Sequence, residues 1–321
     1  MEWLISGGIL LGSITMLVIA GELLVTGLLQ LSRYLRVKEF LVAFTVMAFA
    51  ASVPNLFVGV TSALKGVPDL SFGDIMGNNM AALTLGVALA VLFSAGRAIV
   101  LDSASVRKTT LVTMMAATLP IIMLVDGELS RADGVILIVA FIAYVLWLFT
   151  QDDHFSKPYE AESKSVPQTR ESAFKELWKV LIGMTLLALS AQGIVMAATQ
   201  FAEVFSLPLV FMGLVVLGLS GALPELYFAV ISARRGEAGI VIGNLMGAVI
   251  VPSTLVLGIV AVIAPIQTAS MELPLIARMF LVAAAVLFFW FARTGHRITK
   301  GEALVMFALY AVFIITLVVM V

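Results

Sequence analysis

A long internal repeat constrains this chain more than any other feature of its sequence. Residues 54–66 (PNLFVGVTSALKG) return as residues 224–236 (PELYFAVISARRG), and the correspondence continues without a gap to Thr84, which returns as Thr254. The offset, from 54 to 224, is 170, which is about half of the 321 residues. Self-similarity of this length predicts two homologous halves packed around one site.

The composition predicts a membrane protein. The chain is 61% hydrophobic and 12% charged, its mean hydropathy is +1.11, and runs of roughly 20 apolar residues, enough to cross a bilayer, recur along it. We predict an all-α polytopic membrane protein with ten transmembrane helices, arranged as two inverted-topology repeats of five. The predicted spans are residues 4–31, 40–64, 70–95, 106–125, 132–150, 176–202, 208–233, 239–264, 273–292 and 301–320.

The predicted domains follow from the spans. The first five-helix repeat covers residues 1–150 and contains one copy of the repeated segment at 40–95. The second covers residues 176–321 and contains the other copy at 208–264. The polar segment 151–175 between them is too short and too polar to bury a core, so it is interpreted as a cytoplasmic linker.

The positive charges predict the orientation. Placing the N-terminus outside puts all of the 19 Lys and Arg residues on the cytoplasmic side except Lys65, Arg131 and Arg278. The C-terminus then also lies outside. Because each half has an odd number of helices, the second half inserts upside down relative to the first, an arrangement typical of secondary transporters. We expect the first helix to be retained, since MEWLISGG is not a basic leader.

Several functional classes are disfavoured. A net charge of −1 without a basic cluster argues against nucleic-acid binding, and the absence of cysteine excludes disulfides and thiolate metal sites. No nucleotide-binding motif is present, and an intramembrane enzyme finds no support, because HExxH, GxSxG and a membrane-embedded histidine are all missing. Asp152, Asp153 and His154, and likewise His296, are interpreted as solvated residues at helix ends.

Two matching polar residues lie in predicted spans where polarity is costly. Glu225 follows a proline in the seventh span, and Asn55 follows a proline at the equivalent place in the second. An ionisable group near the bilayer centre usually faces a cavity and has a function. A helix containing proline can bend or break and present carbonyl oxygens beside the hydroxyls of Ser52 and Ser220. Hard cations such as Na⁺ and Ca²⁺ prefer such oxygen ligands. The alternative is a kinked helix whose polar residues only pack.

The next span of each half carries further polar residues. In GDIMGNNM, Asp74 and Asn78 are four apart and therefore share a helix face, and Asn79 lies beside them. The second copy, GNLMGAVI, has Asn244 at the place of Asp74. The two glycines in each copy form a small-xxx-small pattern that lets helices approach closely.

Glu22 in the first span also has a counterpart at offset 170, which is Gln192. For Glu22, a role in hydrogen bonding or proton handling and a role in supporting the site both stay open.

These motifs resemble the cation/Ca²⁺ exchanger superfamily, and in particular its short prokaryotic Na⁺/Ca²⁺ exchanger-like proteins. In that family each half has an "alpha repeat", a helix with a GTSLPE-like motif followed by one with a GNxxGSNxxN/D-like motif. This chain has AASVPN with GDIMGNNMAA, and SGALPE with GNLMGAVIVP. The resemblance implies a secondary active cation antiporter of a prokaryotic plasma (inner) membrane. Ca²⁺, Na⁺ or H⁺ would be carried by alternating access, without a cofactor.

The resemblance also implies which residues bind the cation. The two central acids of the family fall on Asn55 and Glu225, so one acid is missing. The other family ligands fall on Ala51, Ser52, Asn78, Ala82, Gly221, Ala222, Ala248 and Val251. The candidate cation ligands are Glu225, Asn55, Ser52, Asp74, Asn78, Asn79, Ser220 and Asn244.

The missing acid bears on selectivity. One charge pair at about 4 Å is worth roughly 4 kcal/mol at an effective dielectric near 20, so its loss weakens Ca²⁺ binding by several powers of ten. Asp74 would compensate if it pointed into the cavity; otherwise Na⁺ or H⁺ on Glu225 is the better charge match.

In the mechanism we expect, the first helices of the two halves, 4–31 and 176–202, move against the remaining core. The alternative function is a transport-inactive scaffold or regulator, which the lost hydroxyls favour and the retained Glu225 and Asp74 oppose.

Overall fold

A computed structural model describes residues 2–34, 47–94, 98–100, 104–149, 170–234, 236, 238–267, 272–294 and 297–321. Within these residues the chain forms ten helices, in agreement with the predicted number. Seven of the described helices are long and apolar enough to cross a membrane, judged by length and composition.

The first half contributes five helices in chain order. These are α1 (Glu2–Tyr34), α2 (Met47–Leu64), α3 (Pro68–Phe93), α4 (Ala104–Met123) and α5 (Arg131–Phe149). The second half contributes the other five. These are α6 (Arg170–Phe205), α7 (Leu209–Arg234), α8 (238–263), α9 (Glu272–Arg293) and α10 (Lys300–Val319).

The helix limits differ most from the prediction at the start of α6. The helix begins at Arg170, six residues before the predicted span, so the end of the proposed 151–175 linker is helical. The residues there, RESAFK, favour a helix but are polar, and hydropathy marks only the apolar part of a helix. The rest of that linker, with Asp152, Asp153 and His154, lies outside the described residues, as do residues 40–46 of the second predicted span and His296.

Three of the helices contain a π-helical turn. In α3 the turn is Ala82–Gly86 and in α8 it is Pro252–Val256, again 170 residues apart. The hydroxyl of Thr84 donates to the Met80 carbonyl, and that of Thr254 donates to the Ile250 carbonyl. The third π-helical turn, 212–217, lies in α7. The repeat therefore extends to local backbone geometry, and such turns are frequent at functional sites.

Four short strands tie the two halves together. β1 (Ala98–Val100) pairs with β4 (Arg297–Thr299), and β2 (Glu128–Leu129) pairs with β3 (Ile266–Gln267), both antiparallel. Each pair joins a connection of the first half to one of the second. The pairing agrees with the predicted order of helices, in which the β1 and β4 connections share one face of the membrane and the β2 and β3 connections share the opposite face.

Helices α1 and α6 form an antiparallel pair along much of their length. Small residues bring them together: a Cβ on Gly27 would lie 2.9 Å from Val180 Cγ2, and one on Gly183 would lie 3.1 Å from the Leu24 nitrogen. The pair forms an apolar cluster to which α2, α7 and Leu70 of α3 also contribute. The larger core is built around α3 and α8, the most buried helices described.

Glycines set the crossing of α3 and α7. A Cβ on Gly77 would collide with the Leu214 carbonyl, and a Cβ on Gly218 would lie 2.6 Å from the Gly77 Cα. The packing interpretation of the first glycine pair is therefore confirmed at Gly77. In the second copy a Cβ on Gly243 would meet nothing within 4 Å, so the pattern does not mark a close approach there.

The helices with internal prolines do not break. Both α2 and α7 continue through Pro54 and Pro224 as regular helix. A proline has no N–H, so the carbonyl four residues earlier loses its usual helical donor. For Pro224 that carbonyl belongs to Ser220.

Candidate functional site

A cavity lies between the α1–α6 pair and the helices that carry the repeated motifs. Its volume is about 360 Å³, and its walls come from α1, α2, α3, α6, α7 and α8. Most of the lining is apolar, with polar groups at a few points, as in small-molecule binding sites generally. The polar side chains that line it are Glu22, Thr26, Asn55, Asp74, Ser220, Glu225 and Asn244.

Five of the eight candidate ligands predicted from the sequence line this one cavity. They are Asn55, Asp74, Ser220, Glu225 and Asn244. They come from four helices and from both repeats.

Three side-chain oxygens converge beside Gly221. A Cβ placed on this glycine would lie 3.5 Å from Asn55 Oδ1, 3.7 Å from Asp74 Oδ1 and 3.7 Å from Asn78 Oδ1. Glu225 is one helical turn further along α7 and so lies on the same face as Gly221. The absence of a side chain at position 221 leaves this meeting point of oxygens open.

Two buried carboxylates line the cavity without a basic partner among the described residues. Glu225 is 7% exposed and Asp74 is 3% exposed, and both side chains line the cavity. In the part of the chain that the structure describes, the one ion pair is Lys179 with Glu176, which is not at this site. The Oε2 atom of Glu225 accepts no hydrogen bond from the described residues. The negative charge of the site is therefore not balanced by these residues.

Asn78 and Asn79 connect the repeats. Asn78 Nδ2 donates to the Ala248 carbonyl at 3.4 Å, and Asn79 Nδ2 donates to the Ser253 hydroxyl at 2.7 Å. The Oδ1 atoms of both residues have no partner among the described residues. Neither residue is part of the cavity lining, but Asn78 Oδ1 lies 3.7 Å from the Cβ position of Gly221, which is a lining residue.

The two predicted serines lie in different places. Ser220 lines the cavity, and its hydroxyl donates to the Val216 carbonyl of its own helix. Its oxygen keeps acceptor capacity after that bond. Ser52 does not line the cavity; it lies in a narrow crevice between α2 and α8, beside Val251 and Leu255.

Two side chains of α1 also line the cavity: Glu22, for which the sequence leaves two roles open, and Thr26, which is not among the predicted ligands. Glu22, exposed in the structure, and Thr26 are four residues apart on one face of α1. Ile14 and Val18, at the same spacing, continue this face along the cavity wall. This periodicity was the signal that could have identified Thr26.

Arg278 is a second unexpected feature. Although it is charged and lies within α9, it is 7% exposed, and its Nε and Nη2 atoms have no partner among the described residues. It is not part of the cavity lining.

The ligand chemistry of the cavity suits a hard cation. Carboxylate and amide oxygens are ligands for Ca²⁺ and other hard cations. The described residues contain no group of three or more His, Cys, Asp or Glu side chains that could hold a metal ion. The arrangement is that of a site with two buried acids, Asp74 and Glu225, and several neutral oxygens, with Glu22 as an exposed acid in the wall.

Comparison with known proteins agrees with this architecture. A family model described as "Sodium/calcium exchanger protein" matches residues 5–150 and 175–319. The inner membrane protein YrbG of Escherichia coli is 27% identical over 270 residues, which is 82% of this chain and 81% of YrbG. The sodium/calcium exchanger MaX1 of Methanosarcina acetivorans is 23% identical over 344 residues, covering 96% of this chain and 97% of MaX1.

A solved structure has the same fold. The sodium-calcium exchanger NCX_Mj, soaked with Na⁺ and Sr²⁺, superposes with a TM-score of 0.64 at 23% identity, over 97% of this chain and 98% of that one. The two inverted five-helix repeats predicted from the sequence are thus those of a known exchanger fold.

Proposed function

This chain belongs to the sodium/calcium exchanger protein family, and we propose that it is a secondary active cation antiporter that binds its cation in the cavity between the repeats. The observation that carries the proposal is the pair of buried carboxylates, Asp74 and Glu225, with no basic partner among the described residues. Burying an unpaired charge costs several kcal/mol. A cation carried by the protein supplies the missing positive charge.

The proposed transport mechanism is alternating access, in which the α1–α6 pair moves relative to the rest of the protein. Helices α1 and α6 form one wall of the cavity and share a separate apolar cluster, whereas α3 and α8 lie in the main core. Movement of the pair relative to the core opens the cavity to one side of the membrane and then to the other. An ion gradient supplies the driving force.

The cations proposed are Ca²⁺ in exchange for Na⁺ or H⁺. The relative MaX1 is named a sodium/calcium exchanger, and the oxygen ligands around Gly221 suit either Na⁺ or Ca²⁺. The proposed location is a prokaryotic inner membrane with both chain ends outside, which the distribution of Lys and Arg supports.

A transport-inactive scaffold is the second candidate. Ala248 and Val251 are apolar where the family has polar ligands, so the polar side chain that α8 contributes to the cavity lining is that of Asn244. Against it stands the retention of two carboxylates and several amides around one cavity, because polar groups inside a membrane are costly to keep without a function.

Ion flux in proteoliposomes tests the proposal. The purified full chain is reconstituted, and ⁴⁵Ca²⁺ and ²²Na⁺ movements are followed under imposed Na⁺ or H⁺ gradients. The variant Glu225→Gln removes the charge with little change in volume and is expected to abolish exchange. Glu203→Gln makes the same change at an exposed residue of α6 and serves as the matched control.

Two outcomes would contradict the proposal. Equal flux in the Glu225→Gln and Glu203→Gln variants would place the cation elsewhere. Absence of Ca²⁺, Na⁺ and H⁺ movement in the unmodified protein, together with a stably copurifying partner, would favour the scaffold.

A further inference from the structure

At two pairs of equivalent positions, one repeat has an acidic side chain where the other has an amide. At the first pair the residues are Asn55 and Glu225, and at the second they are Asp74 and Asn244, both 170 residues apart. All four side chains line the same cavity. Each repeat therefore contributes one acid and one amide, but the acid lies on α3 in the first repeat and on α7 in the second.

We propose that Asp74 supplies the second carboxylate of a divalent-cation site, in place of the acid that position 55 lacks. This inference rests on the proposed antiport function and deepens it, because it names the class of cargo and a residue that selects it. The site consists of the carboxylates of Glu225 and Asp74 with the amide oxygens of Asn55 and Asn78.

The geometry around Gly221 supports the substitution of one acid for another. Asp74 Oδ1 and Asn55 Oδ1 lie 3.7 Å and 3.5 Å from the same point, the Cβ position of Gly221. The carboxylate of Asp74 thus lies beside the same point near Gly221 that a carboxylate at position 55 would approach. A cation near this point would contact both oxygens whichever of the two residues carries the charge.

The orientation of Asn78 is determined by the opposite repeat. Its Nδ2 donates to the Ala248 carbonyl, so its Oδ1 is the atom left near Gly221. That oxygen is fully buried and has no partner among the described residues. The same applies to Glu225 Oε2, in a side chain more than nine-tenths buried. Buried acceptors without donors require an explanation, and a cation bound between these two atoms supplies one.

The charge count favours a divalent ion. The two buried acids, Glu225 and Asp74, together carry two negative charges, and neither forms an ion pair within the described residues. Glu22, the third acid of the lining, is exposed, so water solvates its charge. A divalent cation neutralises both charges at once, whereas a single monovalent cation leaves one uncompensated. Removing one of two acids from such a site is expected to weaken divalent binding by at least about 100-fold.

An isosteric exchange of charge tests this inference. The variants are Asp74→Asn and the double variant Asn55→Asp/Asp74→Asn, which moves the acid to position 55 without changing the number of side-chain heavy atoms. Asp126→Asn, an exposed residue in the turn after α4, is the control. Equilibrium ⁴⁵Ca²⁺ binding to the purified full-length protein in detergent is measured for each, with thermal unfolding in the absence of Ca²⁺ to verify folding.

The expected result is a loss of at least about 100-fold in Ca²⁺ affinity for Asp74→Asn, recovery of most of it in the double variant, and no change for Asp126→Asn. Unchanged affinity in Asp74→Asn, or loss without recovery in the double variant, would overturn the assignment of Asp74. So would binding of Na⁺ but not Ca²⁺ by the unmodified protein. In all three cases, continued Glu225-dependent exchange in proteoliposomes would leave the antiport function standing, so the two failures are distinguishable.

Discussion

The side-chain amide of Asn78 donates a hydrogen bond of 3.4 Å to the backbone carbonyl of Ala248, the residue 170 positions later. This separation equals the offset of the internal repeat, so the two partners occupy equivalent places in the two halves. The pseudo-twofold axis that relates the halves therefore passes between them. The cavity with its two buried carboxylates lies beside this contact, at the interface between the repeats.

The crossing of α3 and α7 depends on the lack of a side chain at Gly77. The variant Gly77→Ala places a methyl group against the Leu214 carbonyl, and backbone cannot move aside as a flexible side chain can. We expect a loss of about 1–3 kcal/mol of stability, measured by unfolding in detergent. Gly12→Ala, in an open position on α1, should cause no loss. Equal stability of the two variants would contradict the close approach.

The hydrogen bond between Asn79 and Ser253 should stabilise the contact between the repeats by a small amount. A double-mutant cycle with Asn79→Ala, Ser253→Ala and the combined variant is expected to give a coupling energy of about 0.6 kcal/mol, and at most about 1.7 kcal/mol. The measurement is unfolding by denaturant in mixed micelles. Fully additive effects would show that this 2.7 Å contact contributes nothing.

Gly221→Ala separates folding from cation binding. The added methyl group makes ordinary contacts at 3.5–3.7 Å, so the thermal unfolding temperature should be nearly unchanged. The same methyl group occupies the point where three oxygens meet, and loss of one contact with a charged group costs about 1.5–3 kcal/mol. Cation affinity should therefore fall by roughly 10–100-fold. Unaltered affinity would place the cation away from Gly221.

The strand pairing between the halves predicts a specific cross-link. Glu128 and Gln267 are paired in the β2–β3 register, and antiparallel partners have Cα atoms about 4.5–5.5 Å apart, within the range of a disulfide. Because the chain contains no cysteine, the double variant Glu128→Cys/Gln267→Cys offers a single pair of thiols. We expect a reducible bond on oxidation, seen as altered gel mobility.

The same cysteines test the orientation. A membrane-impermeant thiol reagent added to intact cells should modify the Glu128→Cys and Gln267→Cys single variants if these connections face outside. Labelling only after permeabilisation would reverse the proposed topology.

The helix number and the repeat were predictable because both follow from long-range sequence regularities. Apolar runs report membrane spans directly, and the offset of 170 also extends to the π-helical turns at 82–86 and 252–256. The start of α6 at Arg170 was not predictable from hydropathy, since its first turns are polar. The two- and three-residue strands were not predictable either, because such short segments show no alternation.

For the site, the sequence predicted which residues are polar inside the membrane but not all the directions in which they face. Asn55 lines the cavity, whereas Ser52, three residues earlier and therefore rotated by about 60°, lies in the crevice against α8. Asp74 was a conditional candidate, because only the packing of α3 against α7 brings its carboxylate beside Gly221. Thr26 is a single hydroxyl in an apolar helix, and only its spacing of four residues from Glu22 marks it in the sequence.

The position of a bound ion tests the central claim most directly. Crystals of the full-length protein grown with and without Ca²⁺ would be compared by difference density, with the Glu225→Gln variant as a reference. We expect one strong peak in the cavity at about 2.3–2.6 Å from carboxylate oxygens of Glu225 and Asp74, absent in the variant. A peak bound by neither carboxylate, or an unchanged peak in Glu225→Gln, would contradict a cation site between the two repeats.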